Sequence, residues 1–146
     1  MPNDPDDVVL RPAEPGDLDF VAAVYDATIR PYAEAALGVW DPRTAHLRFD
    51  PSTYEIIQVR GEDAGCMQVV DEDTHLQLTV LYILPAFQKQ GVGGVLLDRL
   101  AARSAAARKP IRLRVLRVNP ARRFYERHGF VATGEEPVRV FMERVP

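Results

Sequence analysis

Cysteine is almost absent from this chain, since Cys66 is the single one among 146 residues. One thiol excludes an internal disulfide and a metal site built from cysteines. No stretch approaches the roughly 20 uncharged apolar residues that a membrane-spanning helix needs. The N-terminal stretch is acidic and rich in proline, unlike a secretion signal. We therefore expect a cytoplasmic protein that holds no metal and binds no membrane.

Lysine is also scarce, and positive charge is carried by 16 arginines against 2 lysines, which favours a bacterial gene of high GC content. Residues 1–73 carry 16 acidic and 5 basic side chains, whereas residues 74–146 carry 5 acidic and 13 basic ones. This asymmetry predicts an anionic ligand at the second half and a cationic one at the first. A solvated surface would give the same pattern.

The length and the 47% hydrophobic content predict one globular domain, residues 1–146. The order of patterns is a strand, two helices, an antiparallel meander and then strand–helix–strand, which indicates a mixed α/β fold. Near Pro31 the first helix is expected to end, and a change of phase at Leu116 predicts a bulge or an early strand end. The predicted strands are 8–11, 54–60, 66–70, 75–84, 111–118, 130–133 and 138–145, with turns at 61–65 and 71–74.

The run from Leu78 to Gly94 is the most informative part of the chain. An apolar strand stops at Pro85, a polar loop turns on three glycines, and an amphipathic helix begins. Unpaired N–H groups at a helix start, with the positive end of the helix dipole, suit a phosphate. The loop lacks the third glycine of the Rossmann fingerprint and the Gly-Lys-Ser/Thr of a Walker motif. It predicts a site for a long ligand with a phosphate in its middle.

The residues Gln88-x-x-Gly91-x-Gly93 resemble the Gln/Arg-x-x-Gly-x-Gly/Ala signature of the GNAT superfamily of acetyl-CoA-dependent N-acetyltransferases. The segment 119–130, which contains Tyr125, is similar to the second signature of that superfamily, and the likeness spans roughly residues 8–142. The resemblance implies a mostly antiparallel sheet with helices on both faces, split between the fourth and fifth strands for acetyl-CoA. Residues 1–73 would then form the acceptor side and residues 74–146 the acetyl-CoA side.

The resemblance also implies which residues meet the acetyl donor. Loop amides would bind the pyrophosphate, and the main chain of Leu81 and Ile83 would bind the pantetheine arm as an added strand. The Ile83 N–H would stabilise the oxyanion of the reaction. Arg122 or Arg123 would meet a phosphate. The implied contacts are Leu81, Ile83, Gln88, Lys89, Gln90, Gly91, Val92, Gly93, Gly94, Asn119, Arg122 and Tyr125.

Tyr125 matches the tyrosine that protonates the departing CoA thiolate in this family. A phenol, with a pKa of about 10, is protonated at neutral pH and can donate, although Tyr125 can equally be an aromatic packed on the sheet. Asn119 either contacts CoA or caps the helix after Pro120.

At the position of the base that deprotonates the acceptor, this sequence departs from the family pattern. Some members have a carboxylate at the position of Gln77, which cannot accept a proton. His75, two residues earlier on the same strand, is the alternative base, and His46 is a weaker candidate. His128 fits the C-terminus of a helix.

The implied function is direct acetyl transfer from acetyl-CoA to a small-molecule or peptide amine. Two alternatives stay open: a CoA-binding sensor without turnover, favoured by Gln77, and a small nucleic-acid-binding domain, favoured only by the arginines. We expect no nucleic acid as partner and leave a homodimer open. The candidate acceptor residues, which together favour a cationic amine, are Tyr25, Asp26, Tyr32, Glu34 and Trp40.

Overall fold

A seven-stranded sheet with helices packed on both faces forms the centre of the protein in the computed structural model, which describes residues 4–146. The strands are β1 Val8–Pro12, β2 Tyr54–Val59, β3 Glu62–Asp71, β4 Leu76–Ile83, β5 Ile111–Leu116, β6 Val131–Glu135 and β7 Arg139–Arg144. The helices are α1 Leu18–Thr28, α2 Arg30–Leu37, α3 Thr44–Arg48, α4 Val92–Ala107 and α5 Ala121–Arg127.

The strands lie in the order β1-β2-β3-β4-β5-β7-β6, and every neighbouring pair is antiparallel except β4 and β5. This parallel pair is joined only at Leu76–Ile111 and Gln77–Arg112. Past these two pairs the strands separate. The mixed, mostly antiparallel sheet that is split between its fourth and fifth strands is thus confirmed.

Two hydrophobic cores lie on opposite faces of the sheet. One contains Leu96 and Leu100 of α4 and Tyr125 of α5, packed on β4, β5 and β7. The other contains Val21 and Val24 of α1 with Tyr54 of β2. Helices on both faces hold β4 and β5 in place although these two strands share few hydrogen bonds.

A bulge in β4 changes which face its side chains reach. Gln68 pairs with Val80 but Val69 pairs with Leu78, so Thr79 is an extra residue on β4. Leu78 consequently belongs to the α4 core, whereas Val80 belongs to the α1 core. Beyond the bulge, Ile83 packs towards α4 and Tyr82 towards α1.

The first helix ends near Pro31 as predicted, since α1 finishes at Thr28, but two local features differ from expectation. Pro31 lies in the first turn of α2, where a missing N–H breaks no helical hydrogen bond, so α2 was not predicted. The turn predicted over residues 61–65 is shorter, because Arg60 (φ 50°) and Gly61 (φ 83°) are both left-handed and form a two-residue hairpin turn. β3 therefore begins at Glu62.

Other boundaries agree with expectation or move by a few residues. β5 ends at Leu116, which confirms the early strand end, and His128 follows the last residue of α5. His75 lies just before β4 rather than within it. No helix in residues 4–146 is long and apolar enough to cross a membrane, and these residues hold no cluster of metal-binding side chains.

We predict that Gly65→Ala destabilises the protein strongly. A Cβ at Gly65 would collide with the main-chain oxygen of Tyr82 on the neighbouring strand, and backbone atoms cannot move aside cheaply. We expect a loss of about 1–3 kcal/mol in the free energy of unfolding, measured by urea denaturation. Gly134→Ala is the matched control, since its nearest neighbour would be a Phe141 ring atom at 3.7 Å. Equal stability of the two variants would contradict the argument.

Candidate active site

The inner edge of β4 has main-chain groups without a partner strand. Leu84 N donates to Ala64 O at 2.8 Å, which makes this pair a hydrogen-bonded one. In an antiparallel ladder such pairs alternate with non-bonded ones, so the N–H groups of Ile83 and Leu81 face away from β3, towards the split. The Ile83 carbonyl, on the same edge, accepts a hydrogen bond from Gln88 Nε2 at 2.8 Å. The split therefore offers two main-chain donors to an extended ligand.

A cavity of about 640 Å³ lies along this split and extends to the α1–α3 side. Both separated strand segments line it, together with residues of α1, α2, α3 and α5. Of the residues predicted for the site, those in its lining are Tyr25, Trp40, Gln77, Leu81, Asn119 and Tyr125.

The glycine loop ends in an open helix start. Lys89 (φ 61°) and Gly91 (φ 81°) are both left-handed, and Gly91 is the N-cap of α4 without a side chain capping it. The first N–H groups of this 16-residue helix thus have no intrahelical partner. Gln88 and Gln90 hold the loop through bonds to the carbonyls of Ile83 and Ala86. This geometry suits an anion.

Gly93 and Gly94 allow α5 to approach α4 closely. A Cβ at Gly93 would lie 2.8 Å from Phe124 Cζ, and one at Gly94 would lie 3.2 Å from His128 Cε1. Both glycines therefore have a packing role in addition to any contact with a ligand. The close approach places Tyr125, the residue after Phe124, beside the start of α4.

Tyr125 is buried on α5 between Phe124 and Phe130, with ring centroids 5.3 and 5.5 Å away. Burial raises its pKa, because the phenolate would lose its hydration. Its hydroxyl makes no hydrogen bond within residues 4–146, although the residue lines the cavity. Tyr125 is therefore a protonated donor without a protein acceptor.

Asn119 lies one residue before the N-cap Pro120 of α5, and its Oδ1 accepts a hydrogen bond from Ala121 N, the first helical N–H, at 2.9 Å. Its amide nitrogen is left for other partners, and the residue lines the cavity, so capping and ligand contact are compatible. Arg122, in contrast, forms ion pairs with Glu126 and Glu135 at 3.7 and 3.5 Å and does not line the cavity. Neighbouring Arg123 is exposed.

His75 stands apart from the cavity. Its Nε2 lies 3.0 Å from Gln77 Oε1, and its Nδ1 lies 2.9 Å from Thr74 Oγ1 and 3.4 Å from an Arg112 nitrogen. Gln77 does line the cavity, so His75 reaches it only through this amide. His46 is exposed on α3 and lies outside the lining.

The residues predicted for the acceptor side differ most from expectation. Asp26 and Glu34 form ion pairs with Arg30 and, like Tyr32, do not line the cavity. The wall instead contains tyrosines, with Tyr25 bonded to Tyr54 (2.6 Å between hydroxyls) and in edge contact with Tyr82. The indole N–H of Trp40 is buried and has no acceptor in the described part of the chain. Lining residues that the sequence did not indicate are Arg48, Tyr54, Tyr82, Arg114 and Arg139.

The comparisons with known proteins agree with this geometry. A family model described as an acetyltransferase (GNAT) domain matches residues 50–132, more than half of the chain. The chain belongs to the GNAT acetyltransferase family. It is accordingly an acyltransferase, and the resemblance noted from the two signatures is confirmed. None of the curated proteins matches it significantly.

Solved structures of similar fold include PaiA N-acetyltransferase from Thermoplasma acidophilum in complex with coenzyme A (TM-score 0.73, 16% identity, 95% of this chain and 99% of that one). An acetyltransferase from Thermus thermophilus gives a TM-score of 0.74 at 21% identity, covering 95% and 97%. Ard1 from Thermoplasma volcanium gives 0.68 at 21%, covering 95% and 97%. At these identities the likeness concerns the fold.

The buried tyrosines predict a loss of stability in alkali. Desolvation raises the pKa of Tyr82 to about 12, above the value of about 10 in an unfolded chain. The unfolded state therefore loses this proton first, so the stabilisation is complete below pH ~10 and falls at higher pH. We expect the free energy of unfolding, measured by urea denaturation, to fall between pH 8 and pH 11. This fall should be about 1 kcal/mol smaller in Tyr82→Phe than in the unchanged protein. An unchanged fall would contradict this prediction.

Proposed function

We propose that this acetyltransferase transfers the acetyl group of acetyl-CoA to a primary amine by direct attack, and that residues 1–146 act as one N-acetyltransferase domain. The observation that carries the proposal is the split between β4 and β5, with two free main-chain donors on its edge and an uncapped helix start at its open end. Residues 1–73 supply most of the acceptor side and residues 74–146 most of the donor side.

The residues of the split and the loop fit acetyl-CoA. Main-chain N–H groups of Leu81 and Ile83 would bind the pantetheine arm as an added strand. The amides from Gln88 to Gly94 would bind the pyrophosphate, with the open amides at the start of α4 nearest the charge. Bound in this way, acetyl-CoA supplies an activated thioester carbonyl inside the cavity.

The residues of this chain would then act in sequence. The nitrogen of the neutral amine attacks the thioester carbonyl carbon, and the Ile83 N–H holds the negative charge that develops on oxygen. The C–S bond breaks, and Tyr125 gives its proton to the departing thiolate. The proton lost by the attacking nitrogen leaves to water, and solvent reprotonates Tyr125. The products are the N-acetylated amine and CoA.

No strong base borders the amine among the described residues that line the cavity. Asp41 is the one carboxylate there, and its hydrogen bonds with Arg43 lower its pKa. The lining phenols of Tyr25, Tyr54, Tyr82 and Tyr125 have raised pKa values because they are buried. We therefore assign to His75 the role of positioning Gln77. The amine must already be neutral when it enters the cavity.

The pH dependence of the rate tests this assignment. We expect kcat/KM to rise about tenfold per pH unit up to the acceptor's own pKa, because the neutral amine is the reacting form. His75→Gln should keep this shape while changing KM for the acceptor. An additional inflection of the pH profile that disappears in His75→Gln would instead make His75 the base.

Replacing Tyr125 tests the proton donor. We expect Tyr125→Phe to lower kcat by about 100-fold, the lower end of what general acid catalysis contributes. Acetyl-CoA affinity, measured by isothermal titration, should stay within a few fold. Tyr32→Phe, outside the cavity lining, serves as the control and should keep full turnover. Full turnover of Tyr125→Phe across pH 6–9 would remove this role.

A sensor that binds CoA without turnover is the second candidate, and Gln77 in place of a carboxylate is what favours it. Both candidates require acetyl-CoA binding, so titration alone does not separate them. Release of free thiol with a panel of amines does. Binding without any thiol release would favour the sensor, and absence of acetyl-CoA binding at millimolar concentration would overturn both.

A further inference from the structure

Two arginines are neighbours on the face of the sheet that α1 and α2 cover. Leu116 of β5 pairs with Arg139 of β7, and Arg114 pairs with Phe141, so all four side chains project from the same face. Arg114 and Arg139 are therefore diagonal neighbours, a relation that spans about 7–8 Å between Cα atoms. Both residues line the cavity.

Neither of these arginines is balanced by a carboxylate within residues 4–146. On the same strand pair, Arg112 bonds Glu143 at 2.8 Å, and just beyond β5 Arg117 lies 3.5 Å from Glu135. The side chains of Arg114 and Arg139 make no ion pair or hydrogen bond in this described part. Two like charges so close repel each other, and a shared anion would relieve the repulsion.

The phosphates of acetyl-CoA are not placed to be this anion. The glycine loop leads into α4, which packs on the face of β5 that carries Leu113 and Val115. Arg114 alternates with these residues and so projects from the opposite face, towards α2. An anion that meets Arg114 and Arg139 must enter with the acceptor.

Positive charge predominates among the remaining charged residues of the cavity. Arg48 on α3 is a third lining cation, and it too makes no ion pair within the described residues. Asp41, the one lining carboxylate there, is bonded twice by the Arg43 guanidinium. Acidic side chains of the first half of the sequence instead form ion pairs outside the cavity, as Asp26 and Glu34 do with Arg30.

We propose that the acceptor is an amine that also carries an anionic group, and that Arg114 and Arg139 bind this group. The planar guanidinium matches the oxygens of a carboxylate or a phosphate with two parallel hydrogen bonds. The amine end then points towards the thioester, while the anionic end is anchored on β5 and β7. This inference rests on the proposed acetyl transfer and specifies its substrate class, in place of the cationic amine that the acidic residues of the first half favoured.

The test measures binding to the protein preloaded with CoA, so that it does not depend on turnover. ω-Amino acids of increasing length are compared with their primary amides, and O-phosphoethanolamine with ethanolamine; spermidine represents polycations. We expect the best anionic member to bind about 10–100-fold more tightly than its neutral match, as expected for hydrogen bonds to charged groups. The two series distinguish a carboxylate from a phosphate.

Arg114→Gln and Arg139→Gln should each reduce this preference about tenfold or more, with unchanged affinity for acetyl-CoA. Arg117→Gln is the matched control, because Arg117 lies just beyond β5, pairs with Glu135 and does not line the cavity. It should keep the full preference.

Equal binding of anionic and neutral members throughout the panel, or tightest binding of spermidine, would overturn the proposal. A preference that survives in both cavity variants would overturn the assignment to these arginines. Anionic amines that bind but release no thiol with acetyl-CoA would refute the acetyl-transfer function while leaving the anion site in place, so the two failures are distinguishable.

Discussion

The site depends on the early end of the contact between β4 and β5. After two residue pairs the strands separate, and main-chain groups that a regular sheet would use internally face an open gap. The gap does not collapse because a separate core supports each face of the sheet, with α4 and α5 on one side and α1 and α3 on the other. Buried apolar surface, rather than strand pairing, keeps this edge available.

The bulge at Thr79 determines which face of the sheet each side chain of β4 occupies. Before and after it the strand alternates normally, but the extra residue exchanges the faces. Tyr82 thereby joins the cavity wall on the α1 side, while its neighbours Leu81 and Ile83 turn their main chain towards the split. One strand thus contributes side chains to the cavity and main-chain donors to the split. Likewise, the packing of Gly93 on Phe124 ties the loop to the helix of Tyr125.

Contiguous features could be predicted from the sequence. The loop from Gln88 to Gly94 and the helix of Tyr125 follow from short motifs whose residues are close along the chain, and the family resemblance of these motifs implied the split. The second helix was missed because proline ends helices and also begins them, and only the surroundings of Pro31 decide. The cavity residues Tyr54, Arg114 and Arg139 were missed because they come from distant segments, and strand register alone brings them to one cavity. The count of acidic residues did not predict the charge of the cavity lining, because Asp26 and Glu34 form ion pairs with Arg30 and do not line the cavity.

The burial of Cys66 has a practical consequence for measurements on this enzyme. It is the single cysteine of the chain, it is fully covered within β3, and burial raises its pKa to about 12. A thiol held in this state is almost never a thiolate at neutral pH, so aromatic disulfide reagents should not label the folded protein. Colour that develops with such a reagent then reports released CoA alone. When β3 unfolds, Cys66 becomes accessible and reacts with one equivalent of the same reagent per chain, so the reaction then measures the amount of unfolded protein.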